Sequence, residues 1–597
     1  MKLNTYISTG VLAVLASLSL MSCESDFLQK DPITDVTKEN FFNNPQDLET
    51  YANGFYKNIS APYTDVFSDN ISVYTGASNT DNLLRGSLTP ANVDGWDWKQ
   101  LRSINYMIEN SGKATGDQSL IRHYKGVAKF FRANFYFNMV KKYGDVPWYS
   151  NTIGSTDEAM LYKAKDPRAL VMDSVMSDLE YASANVLPAK TNNTMITKWA
   201  ALTLLSRVAL YEGTFRKYHD ELGLQNTSAK FLNRAITASQ DIISNSGFSI
   251  YNTGKGAEDF RALFSSNNLA GNKEVIFLQK NNKDQGVSNN THTVLGWQWA
   301  LNGSLADEFL MKDGTPFTSV QDYDKKAFTE VFANRDPRMA ETIMPPGYAT
   351  IPNGDPYMLQ PAFGGYLQIK FYPRDPSLRG GWELNYTDLP IYRYAEVLLI
   401  NAEAKAELGT LTQGDLDNTI NLLRRRVKMP DLSMLTANAA PDNYLAKQYP
   451  NINGGNRGVL LEIRRERRVE LACEDKRLDD LFRWKSGVLL GQASKGIYVP
   501  ALGAMDVTGD GKPDIAILEA PGKEDPLSSI PADIRAKLTK FYISDGVFYL
   551  SGGTSGNIMF EKDRRLPRTF IDPKYYYLPI PASQLILNPK LKQSPGW

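Results

Sequence analysis

The segment from Leu460 to Trp484, LLEIRRERRVELACEDKRLDDLFRW, constrains the fold more than any other part of the chain. When it is read as a helix, Ile463, Arg467 and Glu470 recur three or four residues apart and share one face. Charged and apolar side chains are therefore mixed on the face that should pack inward, whereas a surface helix separates them. We predict an ion-pair network between packed helices that fixes one arrangement of those helices. The predicted partners are Glu470, Glu474, Asp479 and Asp480 on one side and Arg464, Arg467, Arg468 and Arg477 on the other.

The same segment resembles the signature ERRVELAFEGQRWFDLRRW of the SusD/RagB family of glycan-binding outer-membrane lipoproteins. The matching residues are Glu466, Arg467, Arg468, Glu470, Leu471, Glu474, Arg477, Asp480, Leu481, Arg483 and Trp484. Cys473 stands where the family has an aromatic residue. Further segments resemble family blocks in the same order, namely 131–147, 389–408 and 577–597. The resemblance implies a mainly α, SusD-like fold, in which irregular tetratricopeptide-like helix pairs form a scaffold with loop-rich and small β insertions.

The first residues have the pattern of a lipoprotein leader. Lys2 precedes an apolar run from Val11 to Met21, which is shorter than the about 20 residues that span a bilayer. Residues 1–22 therefore read as a signal peptide. Ser22-Cys23 resembles a lipidation site, and the acidic residues that follow resemble the family's surface-export signal. We expect Cys23 to be lipidated and residues 23–40 to tether the protein to the outer face of the outer membrane, although a plain secretory signal with an incidental cysteine is the alternative.

Periodicity divides the rest of the chain into three regions. Residues 41–250 should form the N-terminal helical scaffold, with helices predicted over 45–56, 98–110, 120–143, 166–187, 197–212 and 228–246. Residues 251–388 are rich in glycine, proline and aromatics, which predicts a loop-rich ligand face with short strands at 275–279 and 366–371. Residues 389–597 should be the C-terminal region, with helices over 389–408 and 415–428.

Composition and motifs disfavour several function classes. Lys and Arg total 66 and Asp and Glu also total 66, so no basic field attracts nucleic acid. The three histidines are far apart in sequence, which disfavours a multi-histidine metal site. Hydrolase and nucleotide-binding motifs are absent from the sequence. Glu470 and Glu474 lie one turn apart, but neighbouring arginines should keep both ionised, so we expect no enzyme.

Five tryptophans lie among glycine, asparagine and aspartate rather than in the family blocks, namely Trp96, Trp98, Trp297, Trp299 and Trp382. Two pairs have the spacing W-x-W, and alternate residues of an extended segment share a face. Each pair is therefore predicted to form a flat platform for the apolar face of a sugar, with Asp81, Asn82 and Arg85 bonding its hydroxyl groups. By resemblance Trp98 is the first candidate, followed by Trp96 and Trp299. The alternative is that these tryptophans only hold loops on the scaffold.

The segment 506–514, DVTGDGKPD, resembles a short calcium loop. Oxygen ligands are expected from Asp506, Thr508, Asp510 and Asp514, together with the backbone carbonyl of Lys512. Ile517 replaces the bidentate glutamate of a complete EF-hand, and a simple turn between strands is the alternative.

The resemblance implies a surface lipoprotein that binds oligosaccharide or polysaccharide and passes it to a SusC-like TonB-dependent outer-membrane transporter. Three alternatives come from other classes. A RagB-like peptide-binding lipoprotein would have fewer exposed tryptophan platforms. A surface glycosidase would have two carboxylates about 5–9 Å apart in a cleft. A repeat scaffold would have no ligand.

Overall fold

The computed structural model describes residues 41–75, 78–188 and 193–597. Helices hold 47 % and strands 9 % of the structure, which confirms the mainly α prediction. The signal peptide, Cys23 and the tether lie outside the described residues. Within the described residues no helix is both long and apolar enough to cross a membrane.

The N-terminal region is a series of helices close to the predicted ones. They are α1 (Pro45–Asn53), α2 (Asn79–Leu84), α3 (Lys99–Asn110), α4 (Gln118–Tyr143), α5 (Glu158–Leu161), α6 (Arg168–Asn185), α7 (Lys198–Tyr218) and α8 (Ser228–Asn245). The longest, α4, begins where the Asp117 side chain accepts hydrogen bonds from two backbone N–H groups. It ends at Gly144, whose φ of 74° suits glycine and stops the helix.

Successive helices pack against one another, α4 on α6, α6 on α7 and α7 on α8. Two glycines allow these close approaches. A Cβ atom on Gly126 would lie 2.8 Å from the Val186 side chain, and one on Gly213 would lie 2.9 Å from Leu232. Small residues at these helix crossings therefore allow the helices to pack closely.

The middle region is loop-rich, as predicted, with short helices and strands. These are α9 (Ala257–Ser265), β2 (Val275–Gln279), β3 (Trp299–Leu301), α10 (Gly303–Glu308), α11 (Phe328–Val331) and α12 (Met339–Thr342). An earlier strand, β1 (Ile71–Tyr74), pairs antiparallel with β3. The strand predicted over 366–371 is wrong, since Gln368 makes only an isolated bridge to Ile343.

The C-terminal region begins with a strand rather than the predicted helix. Leu389–Arg393 forms β4, which pairs antiparallel with β2, and α13 (Tyr394–Glu407) starts only afterwards. The buried, apolar sequence of β4 does not distinguish a strand from a helix, and pairing with β2 decides it. The helix expected over 415–428 is likewise divided, into α14 (Gln413–Asp417) and α15 (Ile420–Arg426).

The remaining elements run from residue 434 to the end. They are α16 (Met434–Ala439), α17 (Asn443–Gln448), α18 (Arg457–Glu470), α19 (Arg477–Arg483), β5 (Tyr498–Val499), β6 (Gly503–Met505), β7 (Ile515–Leu518), α20 (Ala532–Arg535), β8 (Thr539–Tyr542), β9 (Phe548–Leu550), β10 (Gly556–Phe560), α21 (Glu561–Arg565) and α22 (Ala582–Leu587). Two three-stranded sheets have the orders β5-β10-β9 and β6-β7-β8.

The charged segment forms two helices, α18 and α19, rather than the single helix read from the sequence. Cys473 and Asp475 between them have φ of 65° and 54°, a left-handed conformation that interrupts a helix. The buried Asp65 carboxylate accepts hydrogen bonds from the N–H of Cys473 at 2.6 Å and of Asp475 at 2.8 Å. Asp65 thereby stabilises the turn between the two helices.

Helix α18 is buried on almost every side. From Gly458 to Glu470 every residue except Glu462 is buried. Leu460 and Ile463 belong to the core of the helical scaffold, whereas Val469 belongs to the core under the loop-rich region. The segment therefore joins the two main cores of the protein.

The predicted ion-pair network exists, but most of its partners come from elsewhere in the chain. Arg467 pairs with Asp480 at 2.8 Å inside the segment, as predicted. The expectation that the other charges pair with one another is wrong, because helices and loops surround α18 and supply the opposite charge. Glu470 binds Arg426, Arg338 and Arg393; Glu474 binds Lys370 and Arg393; Arg468 binds Glu308; Arg477 binds Asp69; Arg464 faces Glu407; and Asp479 binds Lys141.

Candidate functional site

The most exposed aromatic surface in the described residues consists of Trp297 and Trp382, which we call the tryptophan ledge. Their side chains are 57 % and 59 % exposed. The ring centroids lie 6.3 Å apart and the ring planes are inclined at 43°. The two residues are far apart in sequence, so the ledge exists only because two loops meet.

Asn385 holds these two loops together. Its backbone N–H and C=O exchange hydrogen bonds with Asn289 at 3.2 and 2.9 Å. Its buried side chain accepts from the N–H of His292 at 2.6 Å and donates to the carbonyl of Gly381 at 2.9 Å. The loop that carries Trp297 is thereby fixed against the loop that carries Trp382, which pre-organises both indoles.

The surroundings of the ledge combine apolar and polar groups. Val287 and Leu384 are 43 % and 46 % exposed and come from the same two loops. The exposed Glu383 carboxylate makes no hydrogen bond or ion pair with any residue in the described part of the chain. Exposed apolar side chains accompanied by polar groups on the same two loops suit a binding surface. Indole faces stack on flat apolar partners, and a free carboxylate accepts hydrogen bonds from hydroxyl groups.

Trp299 does not belong to this surface, and the predicted Trp297–Trp299 platform is wrong. Trp299 begins β3, is only 6 % exposed and donates its indole N–H to Gln368 at 3.1 Å. Trp297 lies in the turn before the strand, after Gly296 with φ of 72°. Alternate residues share a face only in a continuous strand, and here the strand starts too late.

Trp96 and Trp98 lie together, but not as a flat platform. Their ring centroids are 5.3 Å apart with the planes at 72°, so one ring presents its edge to the other. Both side chains are half-buried and line a cavity of about 530 Å³, together with Tyr149 and Tyr162. The segment is not extended, because Trp98 has ψ of 2° and precedes the first residue of α3. Trp98 therefore remains a candidate contact inside a cavity rather than on an open surface.

Asp81 and Asn82 lie on α2 and Arg85 directly follows it, and the two charged residues are engaged in ion pairs. Arg85 binds Asp81 at 2.9 Å and Asp563 at 2.6 Å, and Lys562 binds Asp81 at 2.6 Å. Burial alone would raise the pKa of Asp81, but the hydrogen bonds from Arg85 and Lys562 outweigh it and lower that pKa. Asp81 and Arg85 line a cavity of about 540 Å³ that is separate from the Trp96–Trp98 cavity.

Glu470 and Glu474 are unsuited to acid catalysis. Burial would raise the pKa of each, but Arg426, Arg393 and Arg338 around Glu470, and Arg393 and Lys370 around Glu474, lower both pKa values. A general acid must keep its proton near neutral pH, and these two carboxyl groups do not. Both are also enclosed in the protein rather than placed in a cleft.

The calcium-like loop is a tight turn between β6 and β7. The Asp506 carboxylate accepts from the N–H of Gly509 at 2.6 Å and of Gly511 at 2.8 Å. The Asp514 carboxylate accepts from the N–H of Val507 and Thr508, both at 2.9 Å. Within the described ranges no group of three or more His, Cys, Asp or Glu side chains is placed to hold a metal ion. Calcium binding by this loop stays a prediction.

Comparison with protein-family models gives two matches. The model described as "SusD family" matches residues 265–597. A second model, described as "Starch-binding associating with outer membrane", matches residues 26–210. The first match contains both loops of the tryptophan ledge and the whole charged segment.

Individual proteins agree with these matches. SusD-like protein P2 of Formosa agariphila is 25 % identical over 513 residues, which cover 79 % of this chain and 90 % of the relative. SusD-like protein P25 of the same organism is 26 % identical over 539 residues, which cover 81 % of this chain and 90 % of the relative. A solved SusD-like protein from Bacteroides fragilis has a TM-score of 0.67 at 20 % identity, covering 95 % of this chain and all of that one. A solved structure described as a laminarin-binding SusD-like protein has a TM-score of 0.58 at 16 % identity, covering 93 % and 100 %.

Proposed function

Because this chain belongs to the SusD family, we propose that it binds an oligosaccharide or polysaccharide at the tryptophan ledge and passes it to a SusC-like TonB-dependent outer-membrane transporter. The protein acts by binding and not by catalysis. It is held at the cell surface through lipid on Cys23, so the ledge meets polymers outside the cell. The description of the second family model, which names starch binding and the outer membrane, supports this location.

The observation that carries the proposal is the exposed, fixed pair Trp297 and Trp382. Indoles that are more than half exposed leave apolar area in contact with water. A ligand that covers about 50–100 Å² of apolar surface at each indole gains about 1–2.5 kcal/mol of binding free energy, at about 25 cal/mol per Å². Because the ledge is open rather than enclosed, binding should be modest and reversible, as a delivery step requires.

Affinity electrophoresis tests the proposal directly. The protein without residues 1–22 is run through native gels that contain laminarin, starch, xylan, galactomannan or inulin. We expect at least one polysaccharide to retard the wild type, and Trp382→Ala to move faster in the same gel. Leu435→Ala is the matched control, because Leu435 is 82 % exposed but lies on α16. Retardation of Trp382→Ala equal to that of the wild type would contradict the role of the ledge.

A peptide ligand, as in a RagB-like protein, is the second candidate function. It would bind mainly through backbone hydrogen bonds, usually along the free edge of a strand. Lack of retardation by every polysaccharide, together with calorimetric binding of a mixed peptide library, would favour it over the glycan proposal.

A further inference from the structure

Phe67 is an exposed aromatic side chain that the sequence reading did not single out. It is 41 % exposed and lies on the loop that leads into β1. Three cavities, of about 540, 420 and 540 Å³, all have Phe67 in their walls. The three cavities therefore lie around this side chain, and we call them together the Phe67 trough.

The two cavities on the α4 side share Phe67 and also several polar side chains. Both are lined by Asn138 and Lys141 of α4 and by Asp475 and Asp479 of the turn and start of α19. Lys141 pairs with Asp479 at 2.8 Å. The Asp475 carboxylate makes no hydrogen bond or ion pair with the residues that the structure describes, while its backbone N–H is fixed by Asp65. Partial enclosure by the trough walls raises the pKa of Asp475 to about 6.

Most cations of the trough are already neutralised by protein carboxylates. Arg207 is paired with Glu396 at 2.6 Å, and Lys141 with Asp479. In the third cavity Arg85 is paired with both Asp81 and Asp563. Lys142 and Lys476 line the cavities without a carboxylate partner among the described residues, so a negatively charged ligand would have to bind at these two lysines, disrupt the other pairs or approach Asp475. An uncharged ligand that is rich in hydroxyl groups fits the aromatic ring, the free carboxylate and the Asn138 amide.

One residue after β1, Thr75, relates the first cavity of the trough to the loop of the tryptophan ledge. Thr75 lines the first cavity. The Thr75 N–H donates to the carbonyl of Gln298 at 2.8 Å, and Gln298 directly follows Trp297. The segment that lines the first cavity and the segment that carries Trp297 are therefore hydrogen-bonded neighbours.

We propose that the Phe67 trough binds a second segment of the same polysaccharide chain, with one sugar ring stacked on Phe67 and hydroxyl groups bonded to Asp475 and Asn138. The inference rests on the proposed function and deepens it. The natural ligand is then a long, uncharged polysaccharide, because a chain that contacts both the ledge and Asp475 has to cross the first cavity, which Thr75 lines and Asp475 does not. Phe67 adds affinity only when the chain is long enough to occupy both places.

The test compares a polymer with a short fragment of it. For each neutral polysaccharide that retards the wild type, affinity gels measure the polymer and calorimetry measures its trisaccharide. The variants are Phe67→Ala, Phe67→Trp, which keeps an aromatic ring, and the control Leu435→Ala. Thermal melting of each variant checks that it is folded.

The expected result is a loss of about tenfold in affinity for the polymer in Phe67→Ala, with trisaccharide binding unchanged. Phe67→Trp should bind the polymer as the wild type does. Polymer binding by Phe67→Ala equal to that of the wild type would overturn the trough while leaving the ledge intact. Equal losses for polymer and trisaccharide would place Phe67 in the primary site and overturn a second segment. If no polysaccharide retards the wild type, the ledge and the trough are both refuted.

Discussion

Replacing Glu470 by glutamine tests whether the buried charges of α18 must be paired. Glu470 is fully buried and accepts from Arg426 at 2.7 Å and from Arg338 and Arg393 at 3.1 Å each. Glutamine keeps the size of the side chain but removes the negative charge and turns an NH₂ group toward three guanidinium groups. Removing one partner of a buried pair costs about 3–5 kcal/mol.

Differential scanning calorimetry measures this cost. With an unfolding entropy of about 2.1 cal/mol/K per residue, a chain of this length has a melting temperature that falls by about 0.8 °C for each kcal/mol. We therefore expect Glu470→Gln to melt about 2.5–4 °C below the wild type at pH 7. The matched control is Glu519→Gln. In the wild type Glu519 pairs with Lys523, and their side chains are 60 % and 61 % exposed, respectively. The control should melt within about 0.5 °C of the wild type, because exposed pairs contribute little.

The pH dependence provides a second check on the same variant. Because the three arginines outweigh burial and hold the pKa of Glu470 far below its ordinary 4.5, its ionised form stabilises the folded state above that pH. This stabilisation is lost as the pH falls below about 4.5 toward the folded-state pKa. The difference between wild type and Glu470→Gln should therefore shrink in acid. Equal melting of Glu470→Gln and Glu519→Gln at pH 7 would refute the reasoning.

Three further predictions concern other parts of the chain. Gly126→Leu should destabilise the protein by about 1–3 kcal/mol or more, because the Cβ atom alone would lie 2.8 Å from Val186. The melting temperature should fall, and an unchanged melting temperature would argue against the close helix crossing. Calorimetry with CaCl₂ should give a binding isotherm that Asp510→Ala abolishes, and a flat wild-type trace would exclude calcium in the loop 506–514. Cys23→Ser should move the protein from the membrane fraction to the soluble fraction, and unchanged fractionation would exclude lipid anchoring.

The helical scaffold was predictable because its signals are local. Hydrophobic periodicity predicted a helix over 120–143, and α4 runs from Gln118 to Tyr143, so its ends agree within two residues. Strand β4 was not predictable in this way. Its first four residues are apolar and the strand is mostly buried, as in a core helix, and only pairing with β2, more than a hundred residues earlier, makes it a strand.

The charged segment illustrates a different limit. Its mixture of charges and leucines indicated a buried network, and that inference was right. The partners were not identifiable, because Arg338, Arg426 and Asp69 are distant in sequence and reach α18 only in the folded protein. The left-handed turn at Cys473 likewise depends on the carboxylate of Asp65, some four hundred residues away.

The candidate site was predictable by residue type but not by arrangement. Tryptophan in polar loops pointed to Trp297 and Trp382, but Trp382 was given no partner. The W-x-W spacing suggested Trp299 as the partner of Trp297, and the start of β3 buries Trp299 instead. Phe67 carried no local signal, since a single phenylalanine in a loop is usually part of the core.

The most direct test of the central claim is a calorimetric comparison of wild type, Trp297→Ala/Trp382→Ala and Trp96→Ala, using the polysaccharide that retards the wild type most. Removing both indoles of the ledge should weaken binding at least tenfold, since each contributes about 1–2.5 kcal/mol of covered apolar area. Trp96→Ala removes a half-buried ring from a separate cavity and should leave the affinity within about twofold of wild type. If the double variant binds the polysaccharide with wild-type affinity and Trp96→Ala binds it more weakly, the account is contradicted and the ligand lies in the cavity beside α3.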